Sequence, residues 1–279
     1  MSSLKSFALS LDDLRRGRDR SVTYDWAMRF PVIVYCSFVL LRDVVGFWHQ
    51  VLQHPGAFEQ FDAGTVVAVL ARVSQWMFVL LLSIQPLFRL RAIAKYETIL
   101  PRVVALTALS VPLMFMLIER APADLAFNLI AVFLSLFANA MLVVTASFLG
   151  RSLSVMPEAR RLVLSGPYSM VRHPLYLFEM LGMVAVALQY RSPAAAALLL
   201  AAATLQVARA RWEEAVLART FPDFAVYRSR TPFMVPRDPV HFLASFLLDP
   251  VIRRRSALVV GLMVAVLTLM ATVLPRLII

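Results

Sequence analysis

Four side chains able to do chemistry fall close together in residues 166–179, GPYSMVRHPLYLFE: Arg172, His173, Tyr176 and Glu179. Gly166-Pro167 marks a turn, and Pro174 suits a first helical turn, where its missing N–H costs nothing. With a helix starting near His173, the step of about 100° per residue brings Arg172, Tyr176 and Glu179 close to one face and leaves His173 about a quarter turn away. A cation, a phenol and a carboxylate then line the mouth of an apolar helix. Ionisable groups are costly there, which favours a site. The plainer alternative is an interface anchor, in which Arg and Tyr only snorkel or form an aromatic belt. A second polar group, RARWEE at 209–214, carries Arg209, Trp212, Glu213 and Glu214. Arg209 and Glu213 are four apart and can pair along one helix face.

These residues sit in a chain of 279 residues that is 60% hydrophobic, with a mean hydropathy of +0.74. That composition specifies an integral membrane protein. The net charge of +11 would suggest nucleic acid in a soluble protein; here the cations flank apolar segments, and no nucleic-acid partner is expected. Cys36 is the only cysteine, so an intrachain disulfide is excluded. His49, His54, His173 and His241 lack metal-ligand spacing, and no metal site is expected. There is no GxGxxG or P-loop motif.

A span needs about 20 residues. The apolar segments predict an all-α, polytopic bundle of about seven transmembrane helices near 27–48, 64–88, 101–119, 124–150, 174–190, 193–212 and 256–277. Of the 28 Arg and Lys residues, six lie at 5–29, before the first span, four at 89–102, four at 151–172 and nine at 209–255; the other side receives only Arg120, Arg191 and Arg276. This alternation puts the N-terminus and residues 166–179 in the cytoplasm and the C-terminus outside. Arg42, Asp43 and Arg72 are expected to pair inside the bundle.

The domain division is an interfacial N-terminal segment (1–29, with a surface helix from Leu4 to Leu14), helices within 30–150, a core at 151–237, and an interfacial segment with the last helix at 238–279. Residues 151–165 are expected to be a cytoplasmic connection. The link Arg191-Ser192-Pro193 forces an antiparallel hairpin, so the two polar groups converge at one membrane edge. FPDFAVYRSRTPFMVP, at 221–236, can fold over that mouth.

The order GPYSMVRHPLYLFE, RARWEE, FPDFAVYRSRTPFMVP resembles the isoprenylcysteine carboxyl methyltransferase family and its bacterial relatives, which include phospholipid N- and small-thiol S-methyltransferases. The resemblance covers residues 149–237. It implies S-adenosylmethionine as methyl donor, bound in a cytoplasm-facing pocket, here expected in a bacterial inner membrane. The segment after the paired Glu would cap that pocket. His173, Tyr176, Arg209, Glu213 and Glu214 match cofactor-pocket or catalytic positions, with Arg209, Glu213 and His173 as the catalytic set. Gly166, Pro167, Tyr168, Arg172 and Pro174 match the motif's frame, and Pro232 and Pro236 the end of the cap. Phe178 and Phe224 depart from the family, where many relatives carry Gly and Tyr; Phe178 implies a narrowed pocket or a changed acceptor.

Carboxylates at Glu213 or Glu214 can hold the cofactor's amine or ribose, and Arg209, Arg172 or His173 its carboxylate. Tyr176 or Trp212 can stack on adenine or face the sulfonium. Glu179 and Tyr168 complete the cofactor set, with Tyr227 or Arg230 as a latch. The expected acceptor is hydrophobic or lipid-linked, among membrane lipids. A sterol-type NADPH-dependent reductase is the alternative enzyme, and a non-catalytic scaffold the other class. Reporter fusions should find the N-terminus cytoplasmic and the C-terminus outside; both on one side would overturn the seven-span topology.

Overall fold

The computed structural model describes residues 29–49, 63–88, 98–119 and 125–278, with residues 53, 90 and 92–96 between them. The expected surface helix near Leu4–Leu14 lies outside the described residues. The elements are α1 (Arg29–His49), α2 (Ala63–Phe88), β1 (Ala94–Lys95), α3 (Leu100–Met114), α4 (Leu125–Leu149), β2 (Glu158–Ala159), α5 (Pro174–Tyr190), α6 (Pro193–Thr220), α7 (Phe224–Arg230), α8 (Pro239–Leu248) and α9 (Pro250–Ile278). Short 3-10 turns follow α3 and α4 and span Gly166–Ser169.

Among the described residues α1, α4 and α6 are long and apolar enough to cross a membrane, and shorter apolar runs occur in α2, α3, α5 and α8. The seven-span topology therefore rests on the charge alternation rather than on helix length.

α4 packs against α2, α5 and α9; α6 packs against α3 and α5. One core gathers Val144, Phe148, Val171, Phe178, Phe242 and Ile252. A second joins Phe115, Met183 and Tyr190 to Ala195 and Ala202 of α6, whose small side chains admit close approach. Asp43 accepts from Trp76 Nε1 at 2.7 Å and lies 3.8 Å from Arg72, so those membrane charges pair between α1 and α2.

The hairpin has local causes. α5 begins at Pro174 and ends at Arg191, which is left-handed at φ 42°. Ser192 then accepts from Ala195 N and caps α6, with Pro193 in its first turn. α6 extends beyond the expected 212 to Thr220. Residues 238–252 fold as α8 and the start of α9, capped by Asp238 on His241 N and Asp249 on Val251 N and Ile252 N.

Two sequence expectations change. Residues 151–165 are more than a connection: β2 pairs antiparallel with β1, Ala94 opposite Ala159 and Lys95 opposite Glu158. The bundle is thus all-α except for this bridge. Phe178 does not narrow a polar pocket. It is 1% exposed and packs on Phe137, Phe242 and Phe246, where its ring fills space between α4, α5 and α8.

Gly166 is fixed by its surroundings. Its φ is +63°, and a Cβ would lie 2.3 Å from the Phe148 ring. That ring is in turn covered by the Arg255 guanidinium at 4.1 Å. Gly166→Ala should cost about 1–2 kcal/mol in backbone strain and about 1–3 kcal/mol more in overlap, read as a lowered thermal midpoint in detergent. Adding Phe148→Leu should return part of it. An unchanged midpoint in Gly166→Ala would contradict this turn.

Candidate active site at the α5–α6 hairpin

Glu214, on the inner face of α6, is 3% exposed. Arg172 Nε donates to its Oε1 at 2.7 Å, and His173 Nε2 lies 3.2 Å from the same atom. Arg228 of α7 approaches Oε2 at 3.7 Å. Arg172 also donates to the carbonyls of Arg228 and Thr231, at 2.7 and 2.6 Å. The main chain completes the seam: Arg172 N donates to Pro232 O and His173 N to Phe233 O. The segment after α7 thus docks directly on the Arg-His pair.

Glu213 turns the other way and accepts from Tyr176 Oη at 2.9 Å. Tyr176 stacks on His173, with centroids 5.5 Å apart and planes 11° apart. Arg209 lies over the far side of this assembly, 4.8 Å from the Tyr176 ring. The expected Arg209–Glu213 pair does not form. Arg209 donates instead to Gln206 Oε1 at 2.7 Å and Val155 O, and stands 3.6 Å from Glu179, which also accepts from Gln206 Nε2. Inside the bundle Arg209 thus draws acceptors from α6, α5 and the 151–165 segment, with its Nε left buried and without a hydrogen-bond partner among the described residues, whereas an exposed same-face pair is worth only about 0.2–0.5 kcal/mol.

A cavity of ≈ 60 Å³ opens among Ser152, Ser154, Glu158, Arg160, Tyr168, Arg172, His173, Tyr176, Glu213, Phe224 and Tyr227. Six sequence-predicted residues line it: Tyr168, Arg172, His173, Tyr176, Glu213 and Tyr227. Glu214 is not in the lining, and Arg209 and Glu179 form a polar layer beside Tyr176. Trp212 is directed to Tyr96, at 6.4 Å between centroids, rather than to the cavity. Arg230 is exposed at the end of α7 and not in the cavity lining. Tyr227, the other candidate latch, lines the cavity and donates from Oη to Tyr168 O at 2.6 Å. Burial raises the Tyr227 phenol well above its usual range, so it stays a donor at neutral pH. Burial, then Glu213, raises Tyr168 likewise. Its Oη is buried with no hydrogen-bond partner among the described residues, as is Ser152 Oγ.

Sequence reasoning missed Ser152, Ser154, Glu158, Arg160 and Gln206. The signals there were the charge in PEARR at 157–161 and the likeness of LGRSLSVMPEARRLVLSGPY, at 149–168, to the bacterial branch of the family, neither of which assigns a role to these side chains. A bridge of two-residue strands has no periodicity to detect.

Residues 123–223 match the family model described as phospholipid methyltransferase. The matched region takes in α4, α5 and α6 with both polar groups and stops before α7. Among curated proteins the chain is similar to the cobalt-zinc-cadmium resistance protein CzcN of Cupriavidus metallidurans, 47% identical over 77 residues, covering 27% of this chain and 36% of that protein. It is also similar to the nickel-cobalt-cadmium resistance protein NccN of Alcaligenes xylosoxydans xylosoxydans, 39% identical over 108 residues, covering 37% of this chain and 51% of that protein. The chain spans about half or less of the length of these relatives. The matched family is one of methyltransferases, and the match agrees with the span-length helices on a membrane protein.

Arg172→Ala should leave Glu214 short of its nearest partner and cost about 3–5 kcal/mol, the usual penalty for breaking a buried pair. Hydrogen exchange at 224–233 should accelerate, and Glu214→Gln in the same chain should restore part of the stability. Unaltered exchange there would mean that the seam does not hold the cap.

Proposed function

We propose that this protein is an integral membrane methyltransferase that takes its methyl group from S-adenosylmethionine and passes it to a hydrophobic or lipid-linked acceptor. The observation that carries this is the division of labour between two adjacent glutamates: Glu214 is spent on Arg172 and His173, while Glu213 meets Tyr176 at the cavity wall.

The residues present fit the cofactor's chemistry. It offers an amine, a carboxylate, hydroxyls, an adenine and a sulfonium. The wall supplies the Glu213 carboxylate, the Arg172 guanidinium, the Tyr168 ring and its unpartnered Oη. Glu213 would hold the amine or a ribose hydroxyl, and the Tyr168 ring suits the cationic sulfur. When bound, the cofactor supplies an electrophilic methyl group.

The protein's own task is then positioning and water exclusion. Residues 224–233 close over the cavity, and the Tyr176–His173 stack fixes the floor. An amine or thiol acceptor must lose a proton, for which His173 or Glu213 is placed at the wall; a carboxylate acceptor needs no base. The match at 123–223 favours a phospholipid amine over an isoprenylcysteine-type carboxylate. The relatives' names set those proteins in metal resistance; carried to this chain, that context makes the methylated product what the activity would supply.

The cavity, at ≈ 60 Å³, is smaller than the about 300–1,000 Å³ common for ligand pockets, so a bound cofactor needs the segments that line it to shift. Equilibrium binding to the purified protein tests the proposal. S-adenosylmethionine should bind, and Glu213→Ala should lower its affinity about tenfold or more, the size expected for a charge-assisted contact. Binding of NADPH without S-adenosylmethionine would favour the reductase, and binding of neither would leave the scaffold.

A further inference from the structure

The wall that the sequence did not reveal carries a second recognition element. Glu158 and Arg160 form a buried ion pair, with side chains 3% and 0% exposed, and both line the cavity. Their backbone is clamped from the N-terminal half of the chain. Ile93 N donates to Ala159 O at 2.7 Å and Leu90 N to Arg151 O at 2.8 Å; Arg160 Nη1 donates to Leu90 O. Gln85, near the end of α2, donates to Leu153 O at 2.6 Å. The glutamate is held from one side only. Among the described residues, Ser154 Oγ and Arg160 Nη2 both donate to Oε2, which leaves Oε1 as an acceptor. Ser152 Oγ, in the same wall, is buried with no hydrogen-bond partner.

We propose that Glu158, with Ser152 in the same cavity wall, is a specificity residue that reads the ribose diol of the bound nucleoside. This rests on the cofactor reading of the preceding subsection. The choice of ligand group follows from charge. An ammonium would meet the Arg160 guanidinium, and an anion would meet the Glu158 carboxylate. A neutral pair of hydroxyls meets neither objection: it donates to Oε1 and exchanges a hydrogen bond with Ser152. Carboxylates hold ribose hydroxyls in this way in dinucleotide-binding folds. Arg160 then acts as a positioning residue, fixing the carboxylate in place.

The test is binding by the full chain in detergent, with S-adenosylhomocysteine and its 2′,3′-dideoxyribose analogue as probes. The wild type should prefer the diol by about tenfold or more. Glu158→Gln should lose that preference, binding S-adenosylhomocysteine about tenfold more weakly and the dideoxy analogue as the wild type does. Ser154→Ala removes only the hydroxyl that orients the carboxylate; it should narrow the preference in the same direction, and it decides the matter where Glu158→Gln does not fold. Equal weakening of both probes, or a preference that persists in the variants, would overturn the inference and leave a purely structural ion pair. A wild type that binds both probes alike would also overturn it while leaving the cofactor reading intact, whereas a wild type that binds neither would remove both.

Discussion

The buried carboxylate of Glu214 is the constraint on which the site depends. Such a group costs several kcal/mol to desolvate unless it is paired. Here the partners come from separate elements: Arg172 and His173 from the start of α5, and Arg228 from α7. Neither polar group can be buried before the hairpin has closed and α7 has docked. A pair of this kind adds little net stability over an apolar substitute, but removing one member is severe. Its value here is geometric: it sets the register between α5 and α6 and so decides that Tyr176 meets Glu213.

Much of this geometry could be read from residue type and spacing. Pro174, and the Arg191-Ser192-Pro193 link, define the hairpin because they act through local backbone preferences. Convergence of Arg172 and His173 with Glu213 and Glu214 follows from the hairpin alone. Partner identity does not follow. Arg209 leaves Glu213 for Gln206, Glu179 and Val155 O, since a buried guanidinium takes the most complete set of acceptors, wherever they lie in sequence. Trp212 was misjudged for a related reason: its position beside Glu213 fixes its height along α6 but not its azimuth, and that directs it to Tyr96.

The least legible part was the wall at 151–165. It forms because α2 and the segment after it present carbonyls to Arg151 and Arg160, a long-range fit with no local signature. The consequence is that the N-terminal helices, which the resemblance did not cover, help to build the pocket.

Cap and pocket share the same atoms. Arg172 and His173 use their amides to bind residues 232 and 233 and their side chains to bind Glu214, and both face the cavity. Tyr227 ties the cap to Tyr168, another cavity residue. A ligand that draws on Arg172 or His173 must therefore change the terms on which the cap is held. A ligand contacting only the 151–165 wall would leave the cap untouched. Two walls of different origin thus line one cavity, residues 152–163 on one side and the α5–α6 hairpin with Phe224 and Tyr227 on the other. The wall made by α5 and α6 is the one whose buried Glu214 also draws in Arg228 of α7.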